Sequence, residues 1–325
     1  MNLPCLGIDI AKVKFNVCLL QLNGKLKHKV FLNTEAGFAQ LLQWLEQQQS
    51  VKQVHACLEA TGTYGEALSY YLHDRGYTVS VINPAAIKAF AASRLSRTKT
   101  DRVDAELIAR FCLAQQPPPW TPLAPEVREL QALVRRLESL MEMRVAEENR
   151  LAAGLTVTAV RSSVEEMLAH LKEQISRTEK LIRKHIDTHP GLKQQSELLN
   201  SIPGIADTTA AVLLAEVPNI KQYRSARQVA AFAGLVPRER QSGSSVKGRV
   251  RLSKIGNARL RKALYFPAIT ALRCSPFFQR WAEGLRQRGK SKMSVIGAAM
   301  RKLIHIAYGV LKSGRPFDPE LAKSA

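Results

Sequence analysis

Three short apolar runs follow one another at the start of the chain, and their order restricts the fold more than any other feature. Little more than turns separates them, one of which contains Gly24, so they predict three sequential strands. Beyond them the hydrophobic spacing changes repeatedly between the period of a helix and that of a strand. The predicted elements are strands at Leu3–Ile10, Phe15–Leu20 and Lys27–Leu32, a helix at Glu35–Gln48, a strand at Val54–Glu59, a helix from about Tyr64, a strand at Thr78–Ile82 and a helix after Asn83.

Three strands followed by alternating strands and helices predict one mixed α/β sheet covered by helices. In element order the chain resembles the ribonuclease-H-like, or RuvC-like, α/β domains. The resemblance at this level concerns the fold and not the activity. We therefore expect a RuvC-like domain over residues 1–118.

The proline-rich segment QQPPPWTPLAP at 115–125 predicts a stiff connector after this domain. Beyond it, apolar residues recur at alternating spacings of three and four in two stretches, which is typical of long helices that pack as a coiled coil. We predict a coiled-coil association region at 119–195 and a mainly α-helical region at 196–325. An ordinary helical subdomain without a partner is the alternative for the middle region. The two apolar series are Val127, Leu130, Val134, Leu137 and Met141, and Val164, Leu168, Leu171, Ile175, Thr178 and Ile182.

The chain has 48 basic and 27 acidic residues, a net charge of +21. Of these, 23 basic but only 6 acidic residues lie beyond residue 200. A surplus of this size favours phosphate backbones through counterion release and long-range attraction. Nucleic acid is therefore the predicted partner, and its binding surface should be largely C-terminal.

The sequence predicts neither a membrane span nor an oxidised, secreted protein. We find no apolar run of about 18 residues and no signal-type start, so we expect a cytoplasmic protein that joins the nucleoid when active. The five cysteines are scattered and lack CxxC spacing. They are interpreted as reduced core residues, not as zinc ligands or disulfides.

Four acidic side chains are candidates for a metal site. Asp9 and Glu59 each close an apolar strand, in GIDIAK and CLEATGTY, while Asp101 and Asp104 are three apart in KTDRVDAELIA and share a helix face. Carboxylates brought together repel one another, whereas one or two Mg²⁺ ions would neutralise them and accept their oxygens. Taken singly, each acid could instead bound a turn, cap a helix or pair with an arginine.

A glycine- and serine-rich loop, RERQSGSSVKGRVRLSKIG, lies in the basic C-terminal region. Its glycines allow backbone amides to approach a phosphate, and its cations supply a positive field. Two interpretations stay open: a loop that grips phosphate, or a loop whose serine is a nucleophile activated by a neighbour. The candidate nucleic-acid contacts are Lys99, Arg238, Arg240, Ser244, Ser245, Lys247, Arg249, Arg251 and Lys254.

The segment SIPGIADTTAAVLLAEV at 201–217 resembles a helix-hairpin-helix, whose turn presents amides to a phosphate. An ordinary helix pair broken by glycine is the alternative. Nearby aromatic residues among the basic ones should mostly pack in the core, and any that do not could stack on bases. These are Tyr265, Phe266, Phe277, Phe278 and Trp281.

Several motifs occur in an order that resembles one family. GIDIAK, LEATGTY, VINPA, KTDRVDA, IPGI, FAGLVP and SGSSVKG span nearly the whole chain, which is similar to the DEDD transposases of the insertion-sequence one-ten family, relatives of the Piv-type DNA invertases. The resemblance implies a RuvC-like domain that supplies four acids and a coiled coil that associates subunits. It also implies a C-terminal transposase domain whose serine attacks DNA. The matching residues are Asp9, Glu59, Asp101 and Asp104 for the acids, and Ser242 for the serine.

The resemblance further implies a non-coding bridge RNA whose loops pair with target and donor DNA. A protein that reads backbone and shape while RNA reads sequence suits a diffuse basic surface. We therefore expect a Mg²⁺-dependent transposase or site-specific recombinase that forms a phosphoserine–DNA intermediate as a homodimer or homotetramer. The alternatives are a metal-dependent nuclease such as a Holliday-junction resolvase, without a covalent intermediate, and an inactive RNA-binding protein.

Overall fold

The proline-rich segment separates two compact units, Met1–Pro122 and Leu123–Ala325. The computed structural model describes residues 3–48, 54–60, 62–94, 100–154, 156–238, 241–242, 246–247 and 251–321. The first unit is mixed α/β and the second is mostly helical, which confirms that part of the predicted fold class. The finer division at 119–195 and 196–325 stays a prediction.

A five-stranded mixed sheet forms the first unit, with the strand order β3-β2-β1-β4-β5. The three sequential strands are antiparallel neighbours, whereas β1 pairs with β4 and β4 pairs with β5 in parallel. The strands lie within two residues of their predicted starts and end where predicted. They are β1 (Cys5–Ile10), β2 (Lys14–Leu20), β3 (Leu26–Leu32), β4 (His55–Glu59) and β5 (Thr78–Ile82).

Helices cover both faces of this sheet: α1 (Glu35–Gln47), α2 (Glu66–His73), α3 (Pro84–Ser93) and α4 (Asp101–Gln115). Side chains alternate between the faces along a strand, so Leu6 and Ile8 of β1 pack in a cluster with α1 and α2. Cys5 belongs instead to the cluster that contains α4. The side-chain oxygens of Thr34, Asn83 and Thr100 cap α1, α3 and α4, which explains where these helices begin.

The helix α4 lies directly on the backbone of β1 at Gly7. A Cβ atom at this position would be 2.1 Å from the carbonyl oxygen of Ala105 and 2.3 Å from the backbone nitrogen of Ala109. Only glycine permits so close an approach of helix and strand. The small side chains of Ala105 and Ala109, both fully buried, complete the contact.

The second unit begins with a hairpin of two long helices, α5 (Pro125–Ala152) and α6 (Thr158–Thr188), which contact each other. Most of the predicted apolar series on both helices is buried, and Gly154 adopts φ +86° in the turn between them. The hairpin confirms two long helices. Its role as an association coiled coil stays a prediction.

The remaining helices pack on this hairpin in one hydrophobic core. They are α7 (Pro190–Asn200), α8 (Asp207–Glu216), α9 (Ala226–Phe232), α10 (Ala258–Ala263), α11 (Tyr265–Cys274), α12 (Pro276–Gln287) and α13 (Lys292–Ser313), with a 3-10 helix at Ile220–Gln222. Short strands β6 (Pro237–Arg238), β7 (Gln241–Ser242), β8 (Val246–Lys247) and β9 (Arg251–Leu252) lie between α9 and α10.

The helix α13 bears on the expectation that the chain has no apolar run of about 18 residues. Among the described residues it is the helix long and apolar enough to span a membrane by length and composition. Arg301 and Lys302 interrupt the apolar run in the sequence, yet the average over the helix remains apolar. Most of the apolar stretch is buried inside the second unit, as in the core helix of a globular domain.

We predict that Gly7→Ala destabilises the first unit by about 1–3 kcal/mol, because the added methyl group forces α4 away from β1. Urea unfolding and hydrogen exchange of the α4 amides measure the effect. Gly284→Ala is the control, since a Cβ atom there meets nothing within 4 Å, and it should not accelerate exchange in α4. Equal α4 protection in the two variants would contradict the close-packing argument.

Candidate active site

Two of the four acids lie side by side at the ends of parallel strands. Ile8 of β1 is in register with Leu58 of β4, so the next residues, Asp9 and Glu59, occupy neighbouring positions at the same edge of the sheet. Both side chains are half-buried. They share the sheet face of Gly7, which is the face that α4 covers. The parallel pairing of β1 and β4 therefore brings together acids that are 50 residues apart in the sequence.

The other two acids reach the same edge from α4. The thiol of Cys5 interacts with that of Cys112 near the end of α4, while Gly7 lies against Ala105 and Ala109. The helix α4 therefore runs in the opposite direction to β1. Cys5 faces the end of α4, and Asp9 faces its first turn. That first turn contains Asp101 and Asp104, with Asp101 exposed and Asp104 half-buried.

A direct contact joins β2 to this group. Asn16 is paired with Asp9 across β1 and β2, and its side-chain amide donates a hydrogen bond to Oδ2 of Asp101 at 3.4 Å. The ammonium of Lys14 lies 3.6 Å from the same oxygen. Asn16 and Lys14 of β2 thus contact Asp101 beside the strand position of Asp9. Neither Asn16 nor Lys14 was a predicted site residue. Asn16 could have been noticed in the sequence, because it is polar within the apolar run of β2.

The donor set suits a hard divalent cation, because carboxylate oxygens are what Mg²⁺ prefers. The carboxylate oxygens of the four acids are not all within 4.8 Å of one another. Among the described residues, the group that meets this distance is His55, Cys57 and Cys112. Lys14 and Asp101 are more than half exposed, so their ion pair contributes little free energy. A metal ion could therefore displace Lys14 from Asp101 at low cost.

The predicted serine lies in a β-ribbon of the second unit. The strands β6 and β9 pair at its base, and β7 pairs with β8 further out, with Ser242 in register with Val246. Residues 243–245, which connect β7 to β8, are outside the described part of the chain. The structure thus places Ser242 in the outer ladder of a basic hairpin, here called the serine hairpin and defined as residues 237–252.

Strained backbone anchors the base of the serine hairpin to α9. The Ser253 amide donates to the Val236 carbonyl at 2.8 Å, and the Asn257 amide donates to the Phe232 carbonyl. Between them Lys254 adopts the left-handed φ of 57°, which is uncommon for a residue with a Cβ atom. Gly256 has φ 137°, and a Cβ atom there would lie 2.2 Å from the Phe232 oxygen. The close return of the chain past α9 is therefore specific to glycine.

The structure describes four of the nine predicted nucleic-acid contacts. Arg238, Arg251 and Lys254 are exposed at the base of the serine hairpin, where their cations can meet a phosphate. Lys247 is part of β8. Lys99, Arg240, Ser244, Ser245 and Arg249 lie outside the described residues.

The helix-hairpin-helix-like segment is built into the core. Ile202 and Ile205 are buried, and Gly204 adopts φ 89° against the Pro267 carbonyl. The helix that follows, α8, begins with Asp207, whose carboxylate contacts Arg183 and Asn200. A carboxylate thus already interacts with the positive end of this helix. The phosphate-binding role of the turn stays a prediction.

Most of the aromatic residues in the basic region pack inside it, as expected. Phe277 and Phe278 are buried, and Tyr265 and Trp281 are partly buried against the same core. Phe266 is the exception, with 73% of its surface exposed. It is the member of this set that is available to stack on a base.

Comparison with known proteins now identifies the family. The DEDD_Tnp_IS110 family, described as "Transposase", matches residues 6–160, which include all four acids. A second family, described as "Transposase IS116/IS110/IS902 family", matches residues 196–282, which include the serine hairpin. The chain belongs to the IS110 family of transposases. It is therefore a DNA recombinase, an enzyme that cuts and rejoins DNA.

Relatives match this transposase over nearly its full length. The pilin gene-inverting protein of Moraxella bovis is 35% identical over 323 residues, which cover 99% of each chain. Its counterpart in Moraxella lacunata is 34% identical with the same coverage. The transposase for insertion sequence element IS1328 of Yersinia enterocolitica is 26% identical and covers 98% of this chain and 99% of its own.

We predict that Mg²⁺ stabilises the transposase and that Asp104→Asn removes this effect, because the variant loses one anionic ligand. Binding to the folded state alone contributes about 2.7 kcal/mol when the metal is at 100 times its Kd. Thermal unfolding with and without Mg²⁺, at matched ionic strength, measures the shift. Glu106→Gln on the same helix is the control, since Glu106 pairs with Arg110. An equal Mg²⁺ effect in Asp104→Asn and the unsubstituted protein would contradict the assignment.

Proposed function

We propose that this transposase cuts and rejoins DNA through a Mg²⁺ site at the four acids and a covalent intermediate at Ser242. One observation supports the acid half of the proposal: Asp9 and Glu59 follow paired positions of β1 and β4, and Asp101 accepts a hydrogen bond from Asn16, the β2 partner of Asp9. The sheet order also supports assigning the first unit to the RuvC-like class.

The role of the four acids in this proposal is to bind Mg²⁺. Mg²⁺ bound by their oxygens would neutralise negative charge on the scissile phosphate and on the oxygens that attack and leave. Asp101 is held in place by the Asn16 amide. Asp9 and Glu59 are fixed by backbone pairing of their strands, so their separation is set by the sheet and not by flexible side chains alone.

The serine supplies the reacting oxygen. In the proposed step the Ser242 hydroxyl loses its proton to a neighbouring base, and its oxygen forms a bond to phosphorus. The bond from phosphorus to one DNA oxygen breaks, and that oxygen leaves as a DNA hydroxyl. Rejoining reverses the step with a hydroxyl from another strand end, which restores Ser242. A covalent intermediate conserves the energy of the phosphodiester during strand exchange.

Choice of DNA sequence is assigned to a bridge RNA in this proposal. The support is the family resemblance together with the positive charge, since 23 of the 48 basic residues lie beyond residue 200 with only 6 acidic ones. Such a surface binds phosphates of RNA and DNA without reading bases. The relative named for pilin gene inversion and the one named as an IS1328 transposase both fit a cut-and-rejoin reaction whose outcome depends on the sites supplied.

Assembly through the α5–α6 hairpin is part of the proposal. Apolar side chains stay exposed near the turn of this hairpin, and a second copy of the chain could cover them. They are Met143, Val145, Val157, Val160 and Met167. An active site completed only in a homodimer or homotetramer would prevent cutting by unassembled subunits.

We predict that Ser242→Ala abolishes a covalent protein–DNA adduct, because the variant lacks the oxygen that bonds to phosphorus. The assay incubates the transposase with Mg²⁺, labelled DNA containing the element's ends, and RNA transcribed from the element's flank, then denatures the mixture and detects DNA on the protein. Ser244→Ala and Ser245→Ala are matched controls from the same loop and should keep the adduct. Asp101→Ala/Asp104→Ala should lose both adduct and cleavage.

The alternative outcomes separate the competing functions. Cleavage by unsubstituted protein without any adduct identifies a metal-dependent nuclease of the resolvase type. An adduct that survives Ser242→Ala but disappears in a neighbouring serine variant rejects Ser242 as the nucleophile. Persistent cleavage by the double aspartate variant rejects the metal site. RNA binding without any cleavage identifies an inactive RNA-binding protein.

A further inference from the structure

A second group of metal-ligating side chains lies under α4, at the opposite end from the acids. The ligand atoms of His55, Cys57 and Cys112 lie within 4.8 Å of one another. Cys5 adjoins them, because it is paired with His55 across β1 and β4 and its thiol interacts electrostatically with that of Cys112. These four residues, Cys5, His55, Cys57 and Cys112, are called the thiol cluster below.

The composition of the thiol cluster selects the class of metal. With Cys5 as the fourth ligand, the three sulfurs and one imidazole nitrogen would form a Cys3His set, the kind that binds Zn²⁺ in tetrahedral structural sites. Thiolate ligands disfavour Mg²⁺, which takes oxygen. The three thiols are buried, with 3% exposure at Cys5 and none at Cys57 or Cys112. A closed site without room for substrate is typical of structural zinc, not of a catalytic ion.

Hydrogen bonding prepares His55 as a ligand. The Ser80 hydroxyl has one proton and lies 2.8 Å from the Pro118 carbonyl, which can only accept. Ser80 must therefore accept from Nε2–H of His55, 2.8 Å away. This leaves the lone pair of His55 on Nδ1 for a metal, and a ligating histidine is usually oriented by such a bond at its other nitrogen.

We propose that the thiol cluster binds one structural Zn²⁺ ion that fixes α4 to β1 and β4. The same three elements carry all four acids: Asp9 is four residues beyond Cys5, Glu59 is two beyond Cys57, and α4 begins with Asp101. The ion would therefore hold the acid-bearing elements in register from the far end of their contact. This role is separate from the proposed Mg²⁺ site, and zinc content tests it without any DNA reaction.

Proton release provides an independent signature. Because zinc binds thiolates and not thiols, loading the site displaces protons from the cysteines of the cluster.

The experiment measures zinc in the full-length transposase, expressed with added Zn²⁺ and purified without chelators. Inductively coupled plasma mass spectrometry should find about one zinc per chain, and Cys112→Ser should remove nearly all of it. Cys18→Ser is the matched control. Cys18 is equally buried in the same helix–sheet interface, and burial raises its pKa to about 12, but it faces His28 and not the cluster. It should keep full zinc.

A second measurement covers the case in which Cys112→Ser fails to fold. Metal-stripped wild-type protein titrated with Co²⁺ should develop a thiolate-to-cobalt charge-transfer band that Zn²⁺ abolishes, with release of protons to the buffer. Wild-type protein without zinc and without this band would overturn the proposal. Full zinc content in Cys112→Ser would do the same.

Discussion

The packing of α4 on β1 at Gly7 determines how far Asp101 and Asp104 of α4 lie from Asp9 of β1. The helix approaches the strand so closely that the carbonyl of Ala105 occupies the place of a side chain. Asp9 is two residues further along β1, Asp104 directly precedes Ala105, and Asp101 lies about one turn before it. The glycine therefore sets the distance between the helix and the sheet. This distance in turn limits how closely the carboxylates of α4 can approach that of Asp9.

The proposed metal-binding acids and most of the cationic surplus lie in different parts of the sequence. The acids cluster at one edge of the α/β unit, whereas the cationic surplus follows residue 200. Part of that surplus is neutralised internally, since Arg259 and Lys262 of α10 pair with Glu138 of α5. The cations at the base of the serine hairpin are exposed, and they are predicted to contact phosphate. Their attraction depends on salt, as for any contact dominated by counterion release.

Local patterns predicted the elements well, and long-range contacts explain what they missed. The polar caps Thr34, Asn83 and Thr100 mark helix starts because their side chains bond to nearby amides, which is a local effect. Asp9 and Glu59 stood out as charges that close apolar strands. Their emergence at neighbouring strand ends was an expectation from the element order. The amide of Asn16 beside Asp101 joins residues far apart in sequence and could not be seen in advance.

The cysteines show the same limit. Spacing within one segment suggested no metal site, and burial confirms the core interpretation for four of them, whereas Cys274 is exposed. The thiol cluster arises because β1, β4 and α4 each contribute one or two ligands. His55 and Cys57, two apart in one strand, were the local signal, since alternate residues share a face. The short strands around Ser242 were also missed, because glycine and serine suggested an irregular loop.

The ladder that contains Ser242 has a consequence for how this protein can change over evolution. Successive side chains of a strand point to opposite faces, so shifting the pairing of β7 with β8 by one residue would turn the serine to the other side of the ribbon. Two residues would restore its direction and change only its reach, by about 6–7 Å. Anchored at Gly256 and Asn257, the serine hairpin should therefore tolerate length changes in pairs and reject single ones.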